Sequence, residues 1–123
     1  MSDTIFLKGI EALGRHGCSE QERQREQKFL VDVELYLDLT RAAKTDDLGD
    51  TIDYVQVISD IKKIVGGASR NLIETVAQDI CDFLLKKYLL LDGVTLTLYK
   101  PNPPVKDKFG GAAVQIFRDH SQR

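Results

Sequence analysis

Lys100 closes an alternating run, Gly93-Val-Thr-Leu-Thr-Leu-Tyr-Lys100, and Pro101-Asn-Pro-Pro104 follows at once. Val94, Leu96 and Leu98 share one face of that run, and Lys100 is in phase with them. An ammonium held at the rim of an apolar surface loses hydration, which lowers its pKa toward the range useful for proton transfer. The prolines, the only three in the chain, fix the backbone path beyond it. A lysine at a strand end also discourages edge-to-edge pairing, so a structural use stands beside the catalytic one.

Three more residues have the right chemistry. Glu74, in Asn71-Leu-Ile-Glu74, falls in the first turn of a predicted helix, where the positive end of the helix dipole favours a carboxylate. A carboxylate there can accept two parallel N–H bonds from a planar amidine-like ligand, and the free backbone N–H of Ile73 extends the same surface. Tyr54 opens the preceding helix, after Asp50-Thr-Ile-Asp53. Its phenol can move a proton or simply pack, and a nearby lysine would favour the phenolate. Glu22 lies in a charged stretch with Glu20 and Glu26. Residue type alone does not separate the three, and a solvated face is the expectation for all of them.

Other chemistries lack the residues they need. Two histidines, His16 and His120, fall short of the His- or Cys-rich sets that catalytic zinc requires, so no metal site and no cofactor is expected. Cys18 and Cys81 read as free thiols of a reducing compartment. A net charge of −2 gives no basic field for nucleic acid. No apolar run approaches membrane-spanning length, and the N-terminus lacks a signal-peptide layout. The reading is a cytoplasmic protein.

These residues need elements to position them. At 123 residues the chain makes one domain, residues 1–123, with a polar tail from about residue 119 that is expected to fray. Residues 4–16 read as a strand with apolar residues of both parities, and Gly14 and Gly17 around His16 suggest a bulge or sharp bend there. Residues 19–28 read as an exposed connection. Phe29, Val31, Val33, Leu35, Leu37 and Leu39 alternate with polar residues in a long amphipathic strand. Residues 41–50 read as a loop. A helix follows over residues 54–65, capped by Thr51 or Asp53, with Val55, Ile58, Ile61 and Val65 as its stripe and Gly66-Gly67 as its stop. A second helix covers about residues 72–88, capped by Asn71 or Ser69, with Ile73, Val76, Ala77, Ile80, Phe83, Leu84 and Lys87 as its stripe. Strands over residues 94–100 and about 112–118 complete the order ββααββ. This is a two-layer α+β domain, an antiparallel sheet with two helices on one face. An open four-stranded sheet leaves two edges, which cyclic assembly into a barrel would remove.

In combination these segments resemble the dihydroneopterin aldolases of folate biosynthesis. The resemblance runs from Thr4-Ile-Phe-Leu-Lys-Gly9 to Phe117. It is carried by His16-Gly17 with the acidic stretch after it, Val31-Asp-Val-Glu-Leu35, residues 42–47, Asp50-Thr-Ile-Asp-Tyr54, Asn71-Leu-Ile-Glu74, Lys100-Pro101 and Phe109-Gly-Gly111. It implies the tunnelling fold, with sheets of four subunits joined in a barrel, two rings stacked as an octamer, and sites between subunits. It implies pterin recognition by Glu74, with Asn71 and Ile73 beside it. Lys100 becomes the main general acid/base, Tyr54 assists from a neighbouring subunit, and Glu22 (or Glu20) helps to bind substrate. The reaction implied is retro-aldol cleavage of 7,8-dihydroneopterin to glycolaldehyde and 6-hydroxymethyl-7,8-dihydropterin, without metal or Schiff base and with possible epimerisation alongside. Lys106-Asp107-Lys108 departs from the family, many members of which carry a glycine in that turn. The alternatives are a dihydroneopterin triphosphate 2'-epimerase, a zinc-dependent tunnelling-fold enzyme, and a non-catalytic oligomeric pterin-binding protein.

Overall fold

A computed structural model of the chain describes residues 2–122, the last of them by its backbone alone. Strand β1 spans Asp3–Gly14 and pairs antiparallel with β2, Gln27–Leu37. Their register runs from Asp3↔Leu37 to Leu7↔Val33 and resumes at Ile10↔Val31, so β1 carries one extra residue. That bulge sits at Gly9, whose φ of 68° lies in the left-handed region glycine tolerates. Its N–H donates to Asp32 Oδ1 at 2.7 Å. The bulge is therefore not at Gly14 or Gly17. It accounts for the mixed parity of β1: Leu7 is buried before it, and Ile10 and Ala12 are buried after it.

The connection after His16 contains a short helix, α1, Glu20–Gln24, where an irregular segment was expected. Ser19 caps it, its hydroxyl accepting from Glu22 N at 3.1 Å. Likewise the expected loop over residues 41–50 holds α2, Thr40–Thr45, and a 3₁₀ turn, Leu48–Asp50. None of these pieces buries a residue, so none leaves an apolar period to read.

Helix α3, Tyr54–Val65, starts on the Asp53 cap, which accepts from Val55 N at 3.0 Å, and stops at Gly66. Its buried stripe is Val57, Ile61 and Val65, while Val55 is exposed. Helix α4 is Ile73–Lys87. Neither Asn71 nor Ser69 caps it; Leu72 holds the cap position without a side-chain bond, and the Ser69 hydroxyl donates to the Arg15 carbonyl instead. Cys81 and Leu85 join Val76, Ala77, Ile80 and Leu84 in its buried face, and Phe83 is left exposed.

Strands β3, Gly93–Lys100, and β4, Ala112–Asp119, extend the sheet in the order β1-β2-β3-β4, antiparallel throughout. Helix α3 lies over β1, and α4 over β3 and β4. Between the layers Phe29, Val31, Val33, Leu35 and Leu37 of β2 and Val94, Leu96 and Leu98 of β3 are buried against the helices. The other face of the sheet is open and carries Phe6 and Phe117, both about half exposed. The C-terminus is more ordered than the polar sequence predicts. Asp119 belongs to β4, and the 3₁₀ turn His120–Gln122 is held where the His120 ring bonds the Leu91 carbonyl at 3.0 Å. Arg123 lies outside the described residues. Among the described residues no helix is long and apolar enough to cross a membrane.

Candidate active site

The site is built where two chain segments are fastened together. His16 is fully buried, and its Nδ1 accepts from Arg70 N at 3.0 Å. A backbone N–H can only donate, so Nε2 carries the ring proton and gives it to the Val65 carbonyl at 2.6 Å. Burial holds this imidazole below its ordinary pKa, against the opposing pull of the Val65 bond. With both nitrogens engaged, His16 is a structural rivet. Gly17 N donates to the Arg70 carbonyl at 3.0 Å, and Cys18 Sγ lies 3.5 Å from the Asn71 carbonyl. The segment carrying residues 15–18 therefore travels with the segment that opens α4.

Each segment delivers a carboxylate. Through α1 the first presents Glu22, whose Oε2 meets Lys100 Nζ at 2.5 Å. Both side chains are largely buried, 14% and 11% exposed, whereas Glu20 and Glu26 face solvent. Packing thus singles out Glu22, contrary to the expectation of three solvated carboxylates. Burial pushes the Glu22 carboxyl up, but hydrogen bonding and charge from Lys100 outweigh it and hold the group below its ordinary value. Gly17 makes this seat possible, since a Cβ there would meet the Glu22 side chain at 2.4 Å. The second segment presents Glu74 in the first turn of α4, exposed and beside backbone N–H groups that have no partner within the helix.

Lys100 itself is 9% exposed and in phase with the buried face of β3, as its sequence position predicts. The chain then turns back over it. Pro103, Pro104 and Val105 come to lie opposite α4, and the Tyr99 hydroxyl donates to the Gly110 carbonyl across the base of this loop. Glu22, Asn71, Ile73, Glu74 and Lys100 line one open cavity of about 320 Å³. Of the six site residues predicted from sequence, Tyr54 alone does not line it; that residue is 54% exposed at the start of α3.

Sequence reasoning missed the apolar and small residues of the wall: Gly17, Cys18, Leu72, the 103–105 turn and Ala112. Adjacency to His16, Glu74 and Lys100 was the available signal for most of them. The cavity offers an ammonium for proton transfer, a carboxylate in contact with it, and a second carboxylate at a helix start. That set suits a planar ligand rich in N–H donors.

Known proteins share this arrangement of sequence and fold. The family model of dihydroneopterin aldolase (FolB) matches residues 5–117. The chain is 39% identical over 122 residues to dihydroneopterin aldolase 1 of Arabidopsis thaliana, covering 98% of this chain and 84% of that protein. It is 35% identical over 119 residues to the dihydroneopterin aldolase of Bacillus subtilis (97% and 99%). The crystal structure of the E. coli dihydroneopterin aldolase in complex with neopterin superposes with a TM-score of 0.86 at 28% identity, covering 94% of this chain and 98% of that one.

Proposed function

The chain belongs to the dihydroneopterin aldolase family, and we propose that its cavity performs the retro-aldol cleavage of 7,8-dihydroneopterin. The single observation that carries this reading is the Glu22–Lys100 pair in one cavity with Glu74. The E. coli relative, solved with neopterin, supports a pterin as the ligand.

In this reading the Glu74 carboxylate accepts two bonds from the amino-pyrimidinone edge, and the Ile73 N–H and Asn71 extend the grip. The side-chain triol then reaches Lys100. A base removes the proton of the middle hydroxyl, its oxygen becomes the carbonyl of glycolaldehyde, and the bond between the first and second side-chain carbons breaks. The bonding pair flows into the ring C=N, whose nitrogen takes up a proton. The enol-like product gains a proton on carbon while the ring nitrogen releases its own, which restores the ring C=N and gives 6-hydroxymethyl-7,8-dihydropterin. Every step moves a proton, so a lysine partnered by a carboxylate suffices, without metal or Schiff base, each well-placed group contributing ~10²–10⁴-fold.

Tyr54 enters this scheme from a second copy of the chain. Its position outside the cavity supports that assignment, as do the unpaired edges of β1 and β4 and the half-exposed Phe6 and Phe117 on the open sheet face. Four copies joined edge to edge would close a barrel, and two rings would stack as an octamer, working in the cytoplasm. Light scattering of an active protein tests this assembly; full activity in a stable monomer would remove Tyr54 from the mechanism.

The deciding experiment is anaerobic incubation of chelator-treated protein with 7,8-dihydroneopterin. Glycolaldehyde and 6-hydroxymethyl-7,8-dihydropterin should form in equal amounts. Tight pterin binding with no turnover would leave a non-catalytic binding protein.

A further inference from the structure

We propose that His16 is a positioning residue: through Nδ1 it sets the distance from the start of α4, which carries Glu74, to the Glu22–Lys100 pair. The proposal rests on the aldolase reading of that cavity. His16 is fully buried and touches three parts of the chain. Its ring stands edge-on to Phe29 of β2, with centroids 5.4 Å apart. Nε2 donates to the Val65 carbonyl at the end of α3, and Nδ1 accepts from Arg70 N at 3.0 Å. Gly14 leaves room for the first of these bonds, since a Cβ there would lie 2.3 Å from the Val65 carbonyl oxygen and 2.9 Å from Nε2.

Arg70 carries the effect onward. Its N–H is held by His16, its carbonyl by Gly17 N–H at 3.0 Å, and its Nε donates to Asp79 on α4 at 2.9 Å. Position 70 is therefore clamped between the segment that leads to Glu22 and the helix that carries Glu74. Ser69, Gly17 and Cys18 also tie residues 15–18 to residues 69–71. Among the described residues, the His16 bond alone comes from a buried side chain anchored in a third element. His16 does not line the cavity, so it acts on a ligand there through Arg70 and the start of α4. A pterin gripped by Glu74, Ile73 N–H and Asn71 presents its side chain to Lys100 only if that start is correctly placed. A misplacement of about 1 Å can cost on the order of 10²-fold in rate.

Two variants of the full-length protein separate the roles of the ring nitrogens. In His16→Asn the amide oxygen falls where Nδ1 stood and still accepts from Arg70 N, while the bond to Val65 is lost. In His16→Gln the amide nitrogen falls where Nε2 stood and still donates to Val65, while Arg70 N loses its acceptor. Each variant loses one bond, and both should be less stable than wild type. Per folded molecule, kcat should stay within about threefold of wild type in His16→Asn and fall at least about tenfold in His16→Gln, with the Kd of neopterin changed by less than about threefold in both. Crystal structures should show the Glu74–Lys100 separation kept in His16→Asn and altered by about 1 Å in His16→Gln. A residue that only supports the fold would lower stability and leave kcat per folded molecule and that separation the same in both variants. Equal kcat in the two variants overturns the proposal. If His16→Gln does not fold, a loss of about tenfold or more in folded His16→Asn overturns it, and a retained kcat and separation there support it. If neither folds, His16 serves the fold alone and the proposal falls. If wild type does not turn over dihydroneopterin, the aldolase reading fails, while the Glu74–Lys100 separation in the two variants still decides whether His16 sets it.

Discussion

Lys87 and Asp60 meet at 2.9 Å where α3 packs on α4, and Lys100 and Glu22 meet at 2.5 Å where β3 ends. Both pairs join a lysine to a largely buried carboxylate, yet their surroundings differ. Asp60 receives Lys87 on both oxygens and the Tyr88 hydroxyl at 2.6 Å. Burial, then that bond and the Asp60 charge, push the Tyr88 phenol well above its ordinary pKa. Lys87 is 42% exposed and lies over the Phe83 and Tyr88 rings. Every partner of Asp60 comes from the end of α4, so the cluster welds two helices. At the other pair the ammonium is the more buried member, and both groups line a cavity that also holds Glu74. The same residue types make a fastening where they are saturated; where they face a ligand-sized space they form the pair we propose to react.

Removing the two lysine–carboxylate contacts should therefore have opposite consequences. Lys100→Ala should fold and bind pterin through Glu74, but turnover should fall by ~10²-fold or more. Lys100→Arg should be nearly as impaired, because a guanidinium does not release its proton near neutral pH. Normal turnover in the arginine variant would mean that position 100 supplies only charge, and the proton transfer would pass to Tyr54 or water. Asp60→Ala should cost about 1–2 kcal/mol in unfolding free energy, since it leaves the partly buried Tyr88 phenol without its acceptor and breaks the tie of Lys87 to α3. Its turnover per folded molecule should match wild type. A catalytic loss in Asp60→Ala that exceeds the loss of folded protein would erase the distinction between the pairs.

Residue type and period made part of this contrast readable in the sequence. The alternation of β2 and β3 set their buried faces, placed Lys100 among them, and located both long helices to within a residue or two. The bulge at Gly9 was hidden because one extra residue changes parity without changing composition. Helices α1 and α2 were hidden because five or six residues without a buried face show no period. The contact of Glu22 with Lys100 spans 78 positions, and no local rule distinguishes Glu22 from Glu20. That choice belongs to packing: the Ser19 cap and Gly17 fix which way α1 turns. The Asp60 cluster left no mark either, since an aspartate in a helix ordinarily faces water.

Binding should respond separately from proton transfer. Glu74→Gln keeps the shape of the side chain, removes its charge and replaces one acceptor with a donor. Calorimetry should show pterin affinity reduced by about 2 kcal/mol, with Glu22 and Lys100 still paired. Affinity within about twofold of wild type would move pterin recognition away from the start of α4 and leave only one functional carboxylate in the cavity.

The smallest expected effect concerns stability and pH. The Glu22 carboxyl lies below its ordinary value of 4.5 in the folded chain, because Lys100 outweighs burial. A depressed folded pKa means that the unfolded state binds the proton more readily. The contribution of Glu22 is then fully present above about pH 5 and is lost as pH falls through its folded value. At pH 7 Glu22→Gln should be less stable than wild type by no more than about 1 kcal/mol, the scale of a partly solvated pair. Urea unfolding of both proteins from pH 7 downward should show the two curves converging once Glu22 is protonated. Parallel curves at every pH would mean that the pair contributes nothing to folding and that its contact serves the cavity alone.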